Sequence, residues 1–264
     1  MWGAKRAQPR PMIRGLACAM TVWLCVAAWP GAALAYRPFD GTDAAVADKG
    51  ELEIEFQPAG ARRDNGQNTL VAPQTVLNFG FYENWELVLE GQLETPFSPS
   101  GPSVLTANGA FLKHVLREGV LQDKAGPSIA TEFGLLPPDS DGSNQLGASV
   151  AGIVSQRFDW GTIHLNGEAA LTRDHNADFF LGAIVEGPIK WKMRPVAEFF
   201  YEDEINAAHT VSGLVGAIWQ VNDKLSFDVG FREALTNGHP VSEIRAGFTI
   251  GFTLPHLSGA GPKP

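Results

Sequence analysis

Six histidines, His114, His164, His175, His209, His239 and His256, are the side chains best suited to acid–base work near neutral pH in this 264-residue sequence. Ester hydrolysis at a lipid surface would pair one of them with a serine two residues on, plus a third group to orient the ring. Only His256-Leu257-Ser258 has that spacing, and it lies in a Pro/Gly-rich tail where nothing holds it rigid. His164 and Asn166 share one strand face without a nucleophile at the right offset, and His175 in Arg173-Asp174-His175-Asn176 reads as a solvated loop residue. Asp139-Ser140-Asp141-Gly142 opens like a calcium loop but lacks the bidentate Glu downstream. No catalytic residue, metal ligand or cofactor is therefore expected, and a lipid hydrolase is the most distant reading.

The other chemistry on offer is that of charged rows recurring at every second residue. Glu51, Glu53 and Glu55 alternate with Leu52, Ile54 and Phe56, while Glu86, Glu90, Gln92 and Glu94 alternate with Trp85, Leu87, Leu89 and Leu93. Lys190, Lys192, Arg194, Glu198 and Glu202 alternate with Trp191, Met193, Pro195, Ala197, Phe199 and Tyr201. Asp228 and Arg232 face away from Phe227, Val229 and Phe231, and Glu243 and Arg245 from Ile244, Ala246 and Phe248. Period two is the signature of strands with one apolar and one polar face. If the apolar face meets lipid, then Glu53, Glu55, Glu90, Glu94, Lys190, Lys192, Arg194, Glu198, Asp228, Arg232 and Arg245 line an enclosed lumen. Opposed charge rows there would orient a permeating solute; the alternative is that they neutralise one another and fill the interior.

Such rows need a scaffold. About twelve runs have the length a tilted strand needs to cross a bilayer. Tight turns at Glu83-Asn84, around Asp159, at Gly187-Pro188 and at Asn222-Asp223, with a longer connection at 118–126 in the same series, alternate with looser segments at 58–68, 96–104, 137–145, 173–177, 203–208 and 235–241. The expected fold is all-β: an antiparallel up-and-down transmembrane β-barrel over 36–254, with short turns on one rim and longer loops on the other. Trp85, Trp160, Trp191 and Trp219 each fall beside a short turn, and with Tyr82 they predict one aromatic girdle. Phe56, Phe179, Phe199, Tyr201 and Phe231 predict the other.

The segment before Tyr36 reads as an export signal. Lys5, Arg6, Arg10 and Arg14 form a basic region, Leu16 to Ala28 a short apolar core, and Ala33-Leu34-Ala35 a cleavage site before Tyr36. Its removal leaves sixteen basic residues against twenty-nine acidic ones, a net charge of −13. A chain that acidic is not expected to bind nucleic acid. Cys18 and Cys25 both lie in the signal, which excludes disulfides and thiol chemistry from the processed chain. Residues 255–264 are expected to form a short disordered tail.

Near the end, Arg245-x-Gly247-x-x-Ile250-x-Phe252 is similar to the polar-x-Gly-x-x-apolar-x-aromatic last strand of bacterial outer-membrane proteins. That resemblance implies assembly by the barrel-insertion machinery. Arg37-Pro38-Phe39-x-x-Thr42-Asp43-Ala44 followed by Gly50-Glu51-Leu52-Glu53-Ile54-Glu55, with Asn84-Trp85-Glu86-Leu87 beyond, resembles a proteobacterial family of outer-membrane proteins associated with the meta-pathway of phenol degradation. The resemblance implies an outer-membrane barrel in a Gram-negative bacterium, in contact with outer-membrane lipid. It further implies a passive route for a small-molecule solute, aromatic or hydrophobic compounds among them. A structural or surface-exposed barrel with a plugged lumen is the alternative.

Overall fold

The computed structural model describes residues 37–140 and 145–254. The expected export signal with its cleavage site at Ala33, Ala35 and Tyr36, the tail at 255–264 with His256 and Ser258, and Asp141-Gly142 all lie outside the described residues. Period-two alternation becomes twelve strands: β1 Glu51–Asp64, β2 Gln67–Tyr82, β3 Trp85–Ser98, β4 Val104–Arg117, β5 Ser128–Leu136, β6 Gly147–Phe158, β7 Gly161–Leu171, β8 Ala177–Glu186, β9 Met193–Glu204, β10 Ala208–Asn222, β11 Leu225–Thr236 and β12 His239–Thr253. Each pairs antiparallel with the next, and β12 returns to β1 with Glu51 opposite Thr253 and Ile54 opposite Ile250. The result is a closed twelve-stranded antiparallel barrel. Closure pairs the backbone groups that a sheet edge would leave open.

The two sides of this wall have opposite chemistry. Outward residues are large, apolar and exposed, among them Leu165, Leu181, Phe199, Val215 and Phe231. Inward residues include Glu51, Glu53, Glu55, Glu86, Lys113, Arg194, Glu198, Asp228, Glu243 and Arg245, all buried. A soluble monomer hides the first set and wets the second; here the polarity is inverted, as a hydrocarbon surround requires.

Aromatic rings ladder across the outside. Trp219 pairs with Phe227, Phe227 with Phe248 and Phe248 with Phe56, at centroid separations of 5.9, 6.2 and 5.7 Å. Phe56, expected in the opposite belt, thus joins the ladder of Trp219. Trp85 stacks on His114 at 4.0 Å, while Tyr82, Trp160, Trp191, Trp219 and Tyr201 are all exposed.

Several loops are shorter than the sequence reading has them. The segments at 58–68 and 235–241 are mostly strand, closed by Asn65-Gly66 and Asn237-Gly238 with φ of 44° and 83°, and 52° and 80°. These are the left-handed pairs of a type I′ hairpin, whose twist matches the flanking strands. The expected contrast between a short-turn rim and a long-loop rim is therefore absent; the ten-residue connections 118–127 and 137–146 lie on opposite rims. Replacing Gly238 by Val forces a β-branched residue into left-handed geometry and should cost about 1–2 kcal/mol. A lower urea midpoint for the refolded barrel is the measurement that checks it.

The β1–β2 ladder is interrupted between Gln57–Gln74 and Ala61–Leu70. Pro58 and Pro73, which have no N–H to contribute, fall within this gap. The Gln57 side chain bridges it by donating from Nε2 to the Val71 carbonyl at 2.9 Å.

Candidate functional site

Of the residues that precede β1, 37–47 lie inside the barrel, while Asp48 and Lys49 are exposed and Lys49 reaches the Tyr82 ring at the rim. The inner residues carry no strand pairing, so their backbone and side-chain polar groups must find partners on the wall. Arg37 donates to Gln57 Oε1 at 2.5 Å and Gln74 Oε1 at 3.0 Å, and its Nε is 3.4 Å from Asp228. The Pro38 carbonyl accepts from Arg245 Nη1 at 2.9 Å. The amides of Asp40 and Gly41 donate to the two oxygens of Glu198 at 2.9 and 2.7 Å. Asn166 accepts from the Thr42 amide and donates to its carbonyl, at 3.0 and 2.8 Å. The Ala47 amide donates to Glu86 Oε2 at 2.6 Å. Partners thus come from β1, β2, β3, β7, β9, β11 and β12.

Three wall glycines make room for this segment, Gly230 against Pro38 being one. A Cβ on Gly80 would come within 2.3 Å of the Ala47 and Asp48 carbonyl oxygens, and one on Gly247 within 2.6 Å of Arg37 Nε. Gly247, the glycine of the Arg245-x-Gly247-x-x-Ile250-x-Phe252 motif, therefore also seats Arg37. Ile250 and Phe252 of that motif lie on β12, opposite Ile54 and Leu52.

Arg232, Arg245 and Arg62 form one arc of the wall, on β11, β12 and β1, and each is paired. Arg245 donates to Asp40 Oδ1 and Glu243 Oε1, both at 2.9 Å. Arg232 is 3.6 Å from Asp40 and 3.4 Å from Glu243, with its guanidinium 5.1 Å from the Phe200 ring centre. Arg62 pairs with Glu94, which also accepts from Gln92 and Thr106. Asp40 belongs to the segment rather than to a strand. Burial alone would raise its carboxyl, but Arg245 and Arg232 outweigh burial and hold it below the ordinary carboxylate range.

The acidic arc runs from β3 to β9. Glu90, Glu132, Glu168, Asp178 and Glu202 border a cavity of about 490 Å³ that Arg37, Arg62, Arg232 and Arg245 border on the other side. Glu53 is buried on the inward face of β1, and Glu55 accepts from Asn78 Nδ2 at 2.9 Å.

Lys190 and Lys192 are a correction to the expected lumen row. β9 begins at Met193, so both lysines sit in the β8–β9 connection and are exposed. Pro188 opens a turn there, with the Trp191 amide donating to its carbonyl at 2.9 Å, and alternation starts only after it. Arg194, the first inward residue of β9, is buried against Glu186 at 3.2 Å.

His164 has a neighbour that linear spacing does not reveal. Ser155 on β6 and His164 on β7 are register partners, with Ser155 Oγ 2.8 Å from Nδ1. Glu186 Oε1 on β8 is 3.3 Å from Nε2. The order Ser–His–Glu resembles a hydrolytic triad, but the Ala44 amide donates to Ser155 Oγ at 2.9 Å and the serine is fully buried. In this arrangement the trio anchors the segment, and a substrate has no approach to the hydroxyl.

No family model and no curated protein matches the chain. Solved structures do. A KdgM porin in complex with disordered oligogalacturonate superposes with a TM-score of 0.55 at 10% identity, covering 76% of this chain and 99% of that one. The COG4313 outer membrane channel from Pseudomonas putida F1 gives 0.53 at 12% identity, over 79% and 97% of the two chains. A NanC porin gives 0.53 at 6%, over 75% and 98%. At these identities what is shared is the fold, that of outer-membrane β-barrels.

Proposed function

We propose that this barrel resides in the outer membrane of a Gram-negative bacterium and acts as a passive channel for small solutes, with residues 37–47 narrowing its passage. The observation that carries the reading is a polar, charge-lined cavity of about 490 Å³ inside a barrel whose exterior is apolar. Twelve strands lie between barrels filled by side chains and wide aqueous porins, so a narrow route is the physical expectation. Contact with outer-membrane lipid and insertion by the barrel-assembly machinery, through Arg245, Gly247, Ile250 and Phe252, belong to the same proposal. The resemblance to the phenol meta-pathway proteins extends it to aromatic or hydrophobic solutes. The KdgM structure holds oligogalacturonate, a polyanion; the acidic arc here is poorly suited to such a cargo.

The segment favours one other reading, a structural barrel with a closed lumen. Purified full-length chain in planar bilayers separates the two. Discrete conductance steps are expected; their absence at every voltage, from protein that still migrates faster on gels before boiling than after, would leave the closed barrel.

A further inference from the structure

The cavity has unequal walls. Of its bordering residues, nine are carboxylates and five are cations. The cations are spoken for: Arg37 by Asp228, Arg62 by Glu94, Arg232 and Arg245 by Asp40 and Glu243, and Lys113 by Asp43 and Thr42. On the opposite wall, Glu90, Glu168, Asp178 and Glu202 have no ion pair within 4 Å among the described residues. They come from β3, β7, β8 and β9 and lie within electrostatic reach of one another, Glu90 of Glu168 and Glu202 of both Asp178 and Glu168; the cations within such reach are Arg173 for Glu90 and Arg232 for Glu202, each already ion-paired elsewhere. Glu86 borders the same space while only 1% exposed. Its Oε2 is held by Ala47, but its buried Oε1 has no hydrogen-bond partner among the described residues.

Carboxylates gathered in a confined space of reduced dielectric repel one another unless a positive charge joins them. Each arginine bordering the cavity is already matched by a carboxylate, whereas the acidic wall carries a surplus that concentrates counter-ions. Resting on the channel reading, we propose that the passage is selective for cations over anions, and that Glu90, Glu168, Asp178 and Glu202 set this preference. The segment contributes by consuming the arginines' charge: Asp40 alone engages two of them.

The test is the reversal potential of the full chain in neutral phosphatidylcholine bilayers under a KCl gradient. The expected result is K⁺ passing several-fold more readily than Cl⁻. In the variant carrying Glu90→Gln, Glu168→Gln, Asp178→Asn and Glu202→Gln, the ratio falls close to one while conductance steps persist. Because these substitutions relieve repulsion, the variant is expected to fold, as a retained heat-dependent gel shift would show. Steps without ion preference, steps favouring Cl⁻, or selectivity unchanged in the variant would overturn the proposal. Absence of steps in the parent chain would instead overturn the channel reading on which it rests.

Discussion

A barrel lacking residues 37–49 is expected to pass severalfold more current per channel than the full chain. The segment bridges the lumen from Arg37, against Asp228 on β11, to Ala47, against Glu86 on β3. Its removal replaces protein by electrolyte inside the barrel, and Glu198, Asn166 and Ser155, which now hold its amides, become open to water. The ladder of β1 with β2 and β12 does not depend on it. Single-channel recording of the deletion, with its gel shift as the check on folding, measures the effect. An unchanged unit conductance would mean that the current follows a path the segment does not obstruct.

Replacing Arg245 by Met is expected to be the most destabilising single change, at about 3–5 kcal/mol, the cost of stranding buried partners of a charge. Arg245 is buried and donates to Glu243, Asp40 and the Pro38 carbonyl; its loss leaves two carboxylates and a carbonyl short of a donor. Urea unfolding of the barrel refolded into lipid vesicles would show it. Neutralising the stranded acids in the same chain, with Asp40→Asn and Glu243→Gln, is expected to recover most of the loss. A shift below about 1 kcal/mol would place the pair among the weakly coupled surface type. The acid dependence has a definite sign. Because Asp40 is held below its ordinary value in the folded chain, its contribution is complete above the unfolded carboxylate range. It fades as the pH drops through the lowered folded value.

The wall was legible in the sequence because alternation is local: each residue's face follows from its neighbours, and strands such as β3, β11 and β12 need nothing else. Loop ends were less legible. Asn65-Gly66 and Asn237-Gly238 are hairpin signals in themselves, but Pro58 and Pro240 nearby read as breakers, although a strand next to a bulge or at its first residues tolerates them. Lys190 and Lys192 failed for the opposite reason, since alternation by chance continued through a turn that Pro188 had already begun.

The segment could not be read in this way. Asp40 meets Arg245 across 205 positions, Gly41 meets Glu198 across 157 and Ala44 meets Ser155 across 111. No periodicity encodes such contacts; the surplus of inward charge was the available hint that something polar had to satisfy it. Ser155 and His164 are only nine residues apart, yet a hairpin rather than a motif spacing brings them together.

The wide distribution of the segment's partners has a consequence for biogenesis. Glu198, Asp228 and Arg245 sit on β9, β11 and β12 and Glu86 on β3, so only the closed barrel, with β12 against β1, surrounds residues 37–47 with all of them, and no partly assembled sheet offers a complete berth. Sealing the cylinder and fastening its interior are thus coupled late events, and much of the molecule's final rigidity should arrive in a single concluding step.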